Sequence, residues 1–392
     1  MNKNMNIALC YESVLPARGG CETYIGDLAR RLAADGCQVH LYASQWDASA
    51  LPAETIYHQL PRPRGPRFLR PWRFGAACAA ALKDAPPHVS IGFNKTWGQD
   101  VQYPQGGLHV ASAEHNLRKY AHPARRALAR LAKSCDLAHW SYSLLERRQY
   151  LTHRPLVIVN SCMVRDHFRC WYGVQPDDLR VVHSAIDPER FSQSDRFKRR
   201  QEWREHWAIQ PDEAVALFVA VNYRLKGLEP LLHAVARLPN RERFRLLIAG
   251  HPNTRAYERL AQRLGVLKSV RFLGPRPDIH NCYFAADFLV HPTFYDPCSL
   301  VVLEALACGL PVITSRCNGA GELLSPPREG YVIDDPHDHQ QLAWSIEQLL
   351  DSARRRSCAE AARRTATQWT FEMHYRLLRQ VFEEAAERKR AA

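Results

Sequence analysis

The sequence predicts an α/β protein made of two doubly wound, Rossmann-like domains. Three observations support this prediction. The chain has 392 residues, which is more than one hydrophobic core ordinarily serves. Short apolar strands alternate with helices, a pattern that forms parallel sheets with right-handed crossovers. The alternation then stops and starts again in mid-chain. We therefore expect a first domain over residues 1–191, a second over 192–370, and a final helix over 371–392.

Within each half, the elements follow in the order that such a sheet requires. A first strand at 7–10 precedes a helix that Gly19 and Gly20 open and Gly36 ends. The other predicted strands of this half lie at 38–43, 89–93 and 157–160, with a helix at 123–133. After a polar connecting stretch at 192–209, the second half predicts a helix at 228–238 and strands at 214–221, 244–249, 270–273, 288–291 and 311–314.

The tail from about residue 339 is predicted to be helical and charged. In the last helix, Phe371, Tyr375, Leu378 and Phe382 have the spacing of one apolar face. Such a face has to be buried, and packing back onto the first domain is one way to bury it.

Composition restricts the classes of protein. The 12 cysteines are scattered and include no Cys-x-x-Cys pair, which favours reduced thiols over a disulfide framework or a zinc site. The apolar run at 7–10 is too short for a signal peptide, and no run reaches the roughly 20 residues of a membrane span. We expect a cytoplasmic protein. The net charge of +13 favours an acidic partner, which could be nucleic acid, an anionic membrane surface or a phosphorylated substrate.

The stretch 295–313 is the most informative in the chain. Asp296 and Glu304 lie eight residues apart, the first in a loop and the second inside a predicted helix. The loop brings the backbone N–H groups of the first helical residues to a helix N-terminus, which suits a phosphate. These N–H groups belong to Ser299, Leu300 and Val301. Glu304, just over one turn further, could then reach a ribose hydroxyl.

This stretch resembles the signature of the family-4 retaining glycosyltransferases, in which two acids flank seven residues before an Ala-x-x-x-Gly-x-Pro-Val-Ile tail. Asp296 stands where the family usually has Glu, a variant familiar in members that resemble lipopolysaccharide-core glucosyltransferases. The resemblance implies the GT-B fold, in which two Rossmann-like domains face each other across a cleft. It also implies that Asp296 contacts the donor sugar, although Asp is one methylene shorter than Glu.

Three further matches follow in the order of the family. Gly19 and Gly20 resemble the glycine pair of the first loop, where the backbone approaches the donor phosphate. Arg224 and Lys226 lie in a segment that resembles the family's basic loop, whose lysine neutralises the diphosphate. The segment 182–191 resembles the interdomain hinge, with Ser-Ala where the family has Asn-Gly. Taken alone, a Gly-Gly pair that opens a helix is common, and an exposed Arg-x-Lys after a strand is usually solvated charge.

The first half also carries the segment Gln-Gly-Gly-Leu-His, which ends at His109. Relatives place a histidine against the donor sugar here, so His109 could bond a sugar hydroxyl or hold the acceptor. His115 competes for this role, and an ordinary loop histidine is the third interpretation. The resemblance implies that the catalytic residues are His109, Lys226 and Asp296. It implies that the donor-binding residues are Gly19, Gly20, Arg224, Lys226, Ser299, Leu300, Val301 and Glu304.

The family transfers a sugar with retention of the anomeric configuration. No residue of the matched motifs fills the role of base or nucleophile, which favours a front-face route in which the leaving diphosphate takes the acceptor proton. No Asp-x-Asp motif follows a strand, and the acidic run at 334–339 is interpreted as a surface turn and helix cap. We expect transfer of a hexose-type sugar from a UDP-sugar to a glycan or glycolipid acceptor in lipopolysaccharide or cell-envelope polysaccharide synthesis, without a metal or cofactor.

Five arginines lie between Arg62 and Arg73, interleaved with prolines and aromatics: Arg62, Arg64, Arg67, Arg70 and Arg73. Such a segment suits an anionic membrane surface, single-stranded nucleic acid, or merely a solvated loop. For a glycosyltransferase, peripheral contact with the inner face of the cell membrane is the better functional interpretation, and no nucleic-acid partner is expected.

Other classes of protein remain open. A nucleotide-sugar or glycan-binding protein that no longer turns over is favoured by Asp296, while the intact Lys226 and Glu304 oppose it. A sugar-nucleotide epimerase or a phosphorylase would use other residues around the sugar. A nucleic-acid-binding protein accounts for the net charge but leaves the stretch 295–313 unexplained.

Overall fold

The structure is a computed structural model that describes residues 5–15, 20–187, 191 and 195–391. It divides into two compact units. The first comprises Met1–Glu114, Ala124–Val182 and Glu372–Ala392, and the second comprises His115–Pro123 and His183–Phe371. The predicted domain ranges differ from these units chiefly at residues 115–123, which cluster with the second unit.

The first unit is built on a parallel sheet of seven strands in the order β5-β3-β1-β6-β7-β8-β9. Its strands are β1 (Asn6–Cys10), β3 (Gln38–Ala43), β5 (Ile56–Gln59), β6 (Val89–Phe93), β7 (Val101–Tyr103), β8 (Leu156–Val159) and β9 (Leu179–Val181), and two short strands, β2 (Ser13–Val14) and β4 (Gln45–Trp46), pair beside it. Its helices are α1 (Gly20–Ala34), α2 (Arg70–Asp84), α3 (His109–Leu117), α4 (Pro123–Ser134), α5 (Leu137–Arg147) and α6 (Cys162–Tyr172).

The second unit has a six-stranded parallel sheet in the order β12-β11-β10-β13-β14-β15. Its strands are β10 (Ala214–Ala220), β11 (Phe244–Gly250), β12 (Val270–Gly274), β13 (Phe288–His291), β14 (Val312–Ser315) and β15 (Gly330–Ile333). Its helices are α7 (Arg196–His206), α8 (Leu228–Val235), α9 (Arg255–Arg263), α10 (Ile279–Ala285), α11 (Leu300–Ala307), α12 (His339–Leu350) and α13 (Ser352–Ala366), and α14 (Phe371–Ala391) ends the chain.

Both sheets reverse their strand order once. In the first sheet, the chain runs from β1 outwards to β3 and β5, then returns to the other side of β1 with β6. In the second sheet, the same reversal separates β10 from β13. The loops after the two strands at such a point diverge and leave a crevice at the carboxyl edge of the sheet, where doubly wound proteins bind ligands. The topology therefore marks one such crevice in each unit.

The central strands are buried on both faces, which is why their sequences are continuous apolar runs. Along β10, Ala216 and Phe218 pack into one core cluster, while Val215 and Leu217 pack into the cluster on the opposite face. The period of two residues follows from the alternation of side chains along a strand. These two clusters hold the second sheet between its helices and fix the positions of its loops.

The last helix, α14, packs on the first unit. Of its predicted apolar face, Tyr375, Leu378 and Phe382 are buried, and Phe371 is half-buried. The hydroxyl of Tyr375 donates to Asp35 at 2.9 Å. Tyr24 and His374 share a hydrogen bond of 2.7 Å, and Lys389 pairs with Asp100 at 3.0 Å. The helix thus buries the face that its sequence spacing indicates, and charged contacts near its far end anchor it.

The element predictions missed β5, β7, β9 and β15 of the two main sheets, and also the two-residue strands β2 and β4. With three residues each, β7 and β9 are too short to show a period. The helix predicted at 228–238 ends at Val235. The connecting helix predicted within 192–209 occupies Arg196–His206.

Candidate active site

The crevice of the second unit is formed by the loops after β10 and β13. The first loop carries Lys226, whose ammonium donates to the carboxylate of Asp296 at 2.6 Å and to the carbonyl of Tyr295 at 3.1 Å. Both charged side chains are largely buried, at 20% exposure for the lysine and 16% for the aspartate. A lysine ammonium has three donors, so one N–H remains for a ligand.

Gly227 allows these two loops to approach. Its φ of +83° lies in the left-handed region, and a Cβ added there would meet the carbonyl oxygen of Pro292 at 2.1 Å. The backbone N–H of Phe294 donates to the carbonyl of Leu225 at 2.9 Å and ties the loops together. Only glycine fits this position, and it fixes where Lys226 points.

The ion pair keeps the aspartate charged. Burial alone would raise the pKa of Asp296, but the neighbouring Lys226 outweighs it and holds the pKa well below the usual range. His291, at the end of β13, is 1% exposed, and its Nε2 lies 3.8 Å from the carboxylate, beyond hydrogen-bond distance. Burial lowers the pKa of His291, so this side chain is neutral at pH 7 and adds no charge to the crevice.

The predicted helix N-terminus forms as expected, with α11 beginning at Leu300. The N–H of Ser299 is already paired, because it donates to the side-chain oxygen of Asn318 at 3.2 Å. The first N–H groups of a helix have no partner within the helix, so Leu300 and Val301 keep theirs for a ligand. Two of the three predicted donors are thus free of intrahelical bonds, and Asn318 positions the third.

Glu304 lies on α11, where its carboxylate accepts a hydrogen bond of 2.5 Å from the hydroxyl of Tyr283. Burial raises the pKa of Glu304, and the bond from Tyr283 opposes part of that shift. Tyr283 has no exposed surface and lies on α10. No sequence motif indicates this partner, which lies 21 residues away.

Arg224, the second predicted cation of this loop, contacts an aromatic ring. Its guanidinium stacks on the ring of Tyr120 at 4.3 Å, and the ammonium of Lys119 lies 5.4 Å from the same ring. Both aromatic contacts come from the segment His115–Pro123, which belongs to the second unit. His115 also lies here, with its ring 5.2 Å from that of Tyr295. The two histidine candidates of the sequence therefore lie in different units.

The first unit positions the other predicted residues. Gly20 is exposed at the first position of α1, and Gly19 lies outside the described residues. His109 begins α3, and its Nε2 lies 3.0 Å from Nδ1 of His139. Burial, with a smaller contribution from His139, lowers the pKa of His109 to about 4, so the ring is neutral at pH 7.

Glu146, on α5, caps the helix that His109 begins. Its carboxylate accepts the backbone N–H groups of His109 and Val110 and the hydroxyl of Tyr172. The residue is 6% exposed, and burial raises its pKa to about 7 despite these donors. Sequence analysis missed this acid, because its partners lie 26 to 37 residues away.

His109 and Glu146 line a cavity of about 540 Å³ within the first unit. Its walls come from the loops after β1 and β6, which flank the reversal of strand order, and from α3 and α5. The volume falls within the range of small-molecule sites. The lining residues with polar side chains include Glu12, Asn94, Lys95, His109 and Glu146.

Two other sequence features have structural roles. In the arginine-rich segment, the side chains of Arg70 and Arg73 donate to the backbone carbonyls of Gly65 and Arg64, so they hold the loop itself. In the acidic run at 334–339, Asp338 caps α12 by accepting two backbone N–H groups. Within the described residues, no helix is both long and apolar enough to cross a bilayer.

Comparison with protein families gives two adjoining matches. Residues 18–190 match the model described as Glycosyltransferase Family 4, and residues 199–365 match the model described as Glycosyl transferases group 1. The boundary between the matches falls in the polar stretch that separates the two predicted domains.

Individual proteins are similar over nearly the whole chain. A protein of Burkholderia thailandensis described as a probable transglycosylase is 32% identical over 349 residues, which cover 88% of this chain and 85% of the relative. The lipopolysaccharide glucosyltransferase WaaG of Escherichia coli is 27% identical over 367 residues, 92% of this chain and 94% of the relative.

Solved structures share the fold. A crystal structure of WaaG has a TM-score of 0.74 at 24% identity and covers 97% of this chain and 98% of that one. HepE of Anabaena, solved with UDP and glucose, has a TM-score of 0.68 at 17% identity over 97% of this chain and all of its own. Together with the two parallel sheets, these matches identify the GT-B fold.

Proposed function

This chain belongs to the family 4 glycosyltransferases, and we propose that it transfers a hexose from a UDP-sugar, with retention, to a glycan or glycolipid acceptor of the cell envelope. The observation that carries this proposal is the Lys226–Asp296 ion pair at the strand reversal of the second sheet. It brings together the two predicted residues that the sequence separates by 70 positions.

The donor binds to the second unit in this proposal. The remaining N–H of Lys226 and the free N–H groups of Leu300 and Val301 offer positive charge to a diphosphate. Glu304 offers its carboxylate to a ribose hydroxyl. The choice of UDP is supported by the complexes of HepE with UDP and with UDP-glucose. The choice of lipopolysaccharide or a related envelope polysaccharide is supported by the similarity to WaaG.

The hydrogen bonds of the two acids in the second unit support the proposal of transfer with retention. Asp296 is held by Lys226, and Glu304 is held by Tyr283. Neither is a free nucleophile or base. The leaving diphosphate therefore takes the acceptor proton on the same face, and the protein stabilises the charge that develops on it. Lys226 supplies this charge, with Arg224 as a second cation, so the reaction needs no metal or other cofactor.

The acceptor binds in the cavity of the first unit. The neutral ring of His109 has one nitrogen near His139 and the other available to a sugar hydroxyl. This arrangement favours positioning of the acceptor over proton transfer, because a ring whose pKa is about 4 is a weak base at pH 7.

An anionic membrane surface is the partner proposed for the first unit. Helix α4 has no buried residue, and it carries Leu128 and Leu131 at 68% and 62% exposure beside several cationic side chains. On α5, Leu137 and Trp140 are 67% and 56% exposed. Apolar side chains beside basic ones suit the boundary between headgroups and acyl chains. These two helices support the membrane proposal better than the arginine-rich segment does, and peripheral attachment at the inner face follows from it.

A catalytically impaired nucleotide-sugar-binding protein is the second candidate, favoured by the Asp at position 296. A thermal-shift screen against UDP-, GDP- and ADP-sugars, followed by a hydrolysis assay, separates the two. Stabilisation by a UDP-sugar with turnover supports the transferase, and stabilisation without turnover supports the impaired protein. If no nucleotide sugar stabilises the chain, both candidates are wrong.

A further inference from the structure

Lys95 lies in the cavity of the first unit, directly after β6 and thus at the strand reversal of the first sheet. Its ammonium lies 3.3 Å from the centre of the Tyr142 ring. Among the residues that the structure describes, no carboxylate forms an ion pair with it. Lys95 is half-buried, and an ammonium partly removed from water without a counterion is less favourable than one paired with an anionic ligand.

The groups around Lys95 act on its pKa in both directions. Burial is the largest cause and lowers the pKa, Glu146 and Glu12 raise it, and Arg67 and Lys133 lower it, with a net pKa of about 8. Lys133 pairs with Asp136 at 3.1 Å, whereas Lys95 has no such ion pair among the described residues.

Neither acid of the cavity, Glu146 or Glu12, serves as a counterion for Lys95. Glu146 already accepts three hydrogen bonds as the cap of α3, and its raised pKa of about 7 leaves it partly protonated at neutral pH. Glu12 lines the cavity and does not pair with Lys95. A carboxylate in this position is a good acceptor for a sugar hydroxyl.

We propose that this cavity binds a sugar that carries an anionic group, a phosphate or a carboxylate, and that the ammonium of Lys95 pairs with that group. Glu12 and the neutral His109 bind hydroxyls of the same sugar. The proposal rests on the proposed function, because it names the chemical class of the acceptor. It also gives the half-buried ammonium of Lys95 a counterion, which no carboxylate of the described residues supplies.

The test compares the intact chain with two variants and a control. Lys95→Gln removes the charge, and Lys95→Met also keeps an aliphatic chain against Tyr142. The control is Lys83→Gln, which removes an exposed lysine at the end of α2. Isothermal titration calorimetry measures the binding of glucose, glucose 6-phosphate and glucuronate to each protein. Binding of UDP to the same proteins is measured separately and reports on the donor site of the second unit.

The wild type is expected to bind at least one of the two anionic sugars about ten-fold more tightly than glucose, because one hydrogen bond to a charged group typically accounts for about a ten-fold gain in affinity. The tighter of the two identifies phosphate or carboxylate. Both Lys95 variants should lose the preference, and Lys83→Gln should keep it. Melting temperature should stay or rise in the Lys95 variants, because the uncompensated charge is gone, whereas a structural lysine would lower it when replaced.

Two results overturn the inference. One is a wild type that binds glucose as tightly as both anionic sugars, and the other is a preference that survives in both Lys95 variants. If UDP binds normally in these experiments, only the inference about the acceptor fails. If UDP does not bind the wild type, the proposed function fails instead.

Discussion

Replacing Lys226 by Met should separate the catalytic role of this lysine from its role in folding. The substitution removes a cation from the leaving diphosphate and leaves the carboxylate of Asp296 without its 2.6 Å partner. Loss of one group that stabilises transition-state charge costs about 3 kcal/mol, or roughly a hundred-fold in rate. A buried carboxylate without its partner costs a further amount of folding stability, about 3 kcal/mol for a pair this little exposed.

The double variant Lys226→Met with Asp296→Asn distinguishes the two effects. The neutral amide no longer needs a counterion, so the free energy of unfolding in urea should recover most of what the single variant loses. The rate of UDP release from UDP-glucose should remain about a hundred-fold below that of the wild type. Lys268→Met, at an exposed lysine of the same unit, is the matched control and should change neither quantity. Recovery of activity in the double variant, or near-normal activity in a folded single variant, would refute the reasoning.

Three more predictions concern stability. Gly227→Ala should lower the free energy of unfolding in urea by more than about 2 kcal/mol, because the new Cβ meets the carbonyl of Pro292 and the residue has a left-handed φ. Gly106→Ala is the control and should change the free energy of unfolding little, because its new Cβ has nothing within 4 Å. Equal losses in the two variants would contradict this. The pKa of Glu146 is raised from its ordinary value of 4.5 to about 7 in the folded protein. Its protonation therefore contributes at most about 3 kcal/mol to the free energy of unfolding below pH 4.5, and this contribution is lost as the pH rises from 4.5 through 7. Glu146→Gln should therefore flatten the stability profile between pH 4.5 and 7.5, and an unchanged slope would show that another group causes it. Tyr283→Phe should cost about 1–3 kcal/mol in unfolding, because a buried carboxylate loses its donor, and an unchanged unfolding curve would mean that this bond contributes nothing.

The fold was predictable because its signal is local and repeated. Buried parallel strands produce continuous apolar runs, and β10, β11 and β13 appear close to where those runs lie. The loop, helix and strand predicted for 295–313 occur in that order, with α11 from Leu300 and β14 from Val312. The three-residue strands β7 and β9 carry too few residues to show a period, and β5 and β15 were missed as well.

The contacts of the site could not be predicted, because they join residues distant in sequence. Lys226 and Asp296 were each identified from a motif, but neither motif indicates that the two side chains pair. The contact of Arg224 with Tyr120 joins residues from the two predicted domains. Lys95 follows an unremarkable strand, and its missing counterion becomes visible only when the surrounding side chains are placed.

The most direct test of the central claim is proton NMR of the sugar that the protein first releases from UDP-α-glucose in the absence of acceptor. The spectrum is recorded before the anomers interconvert, for the wild type and for the Lys226→Met/Asp296→Asn variant. The account predicts α-glucose from the wild type, at a rate about a hundred-fold lower in the variant. β-Glucose as the first product, or no consumption of any UDP-sugar by the wild type, would contradict it.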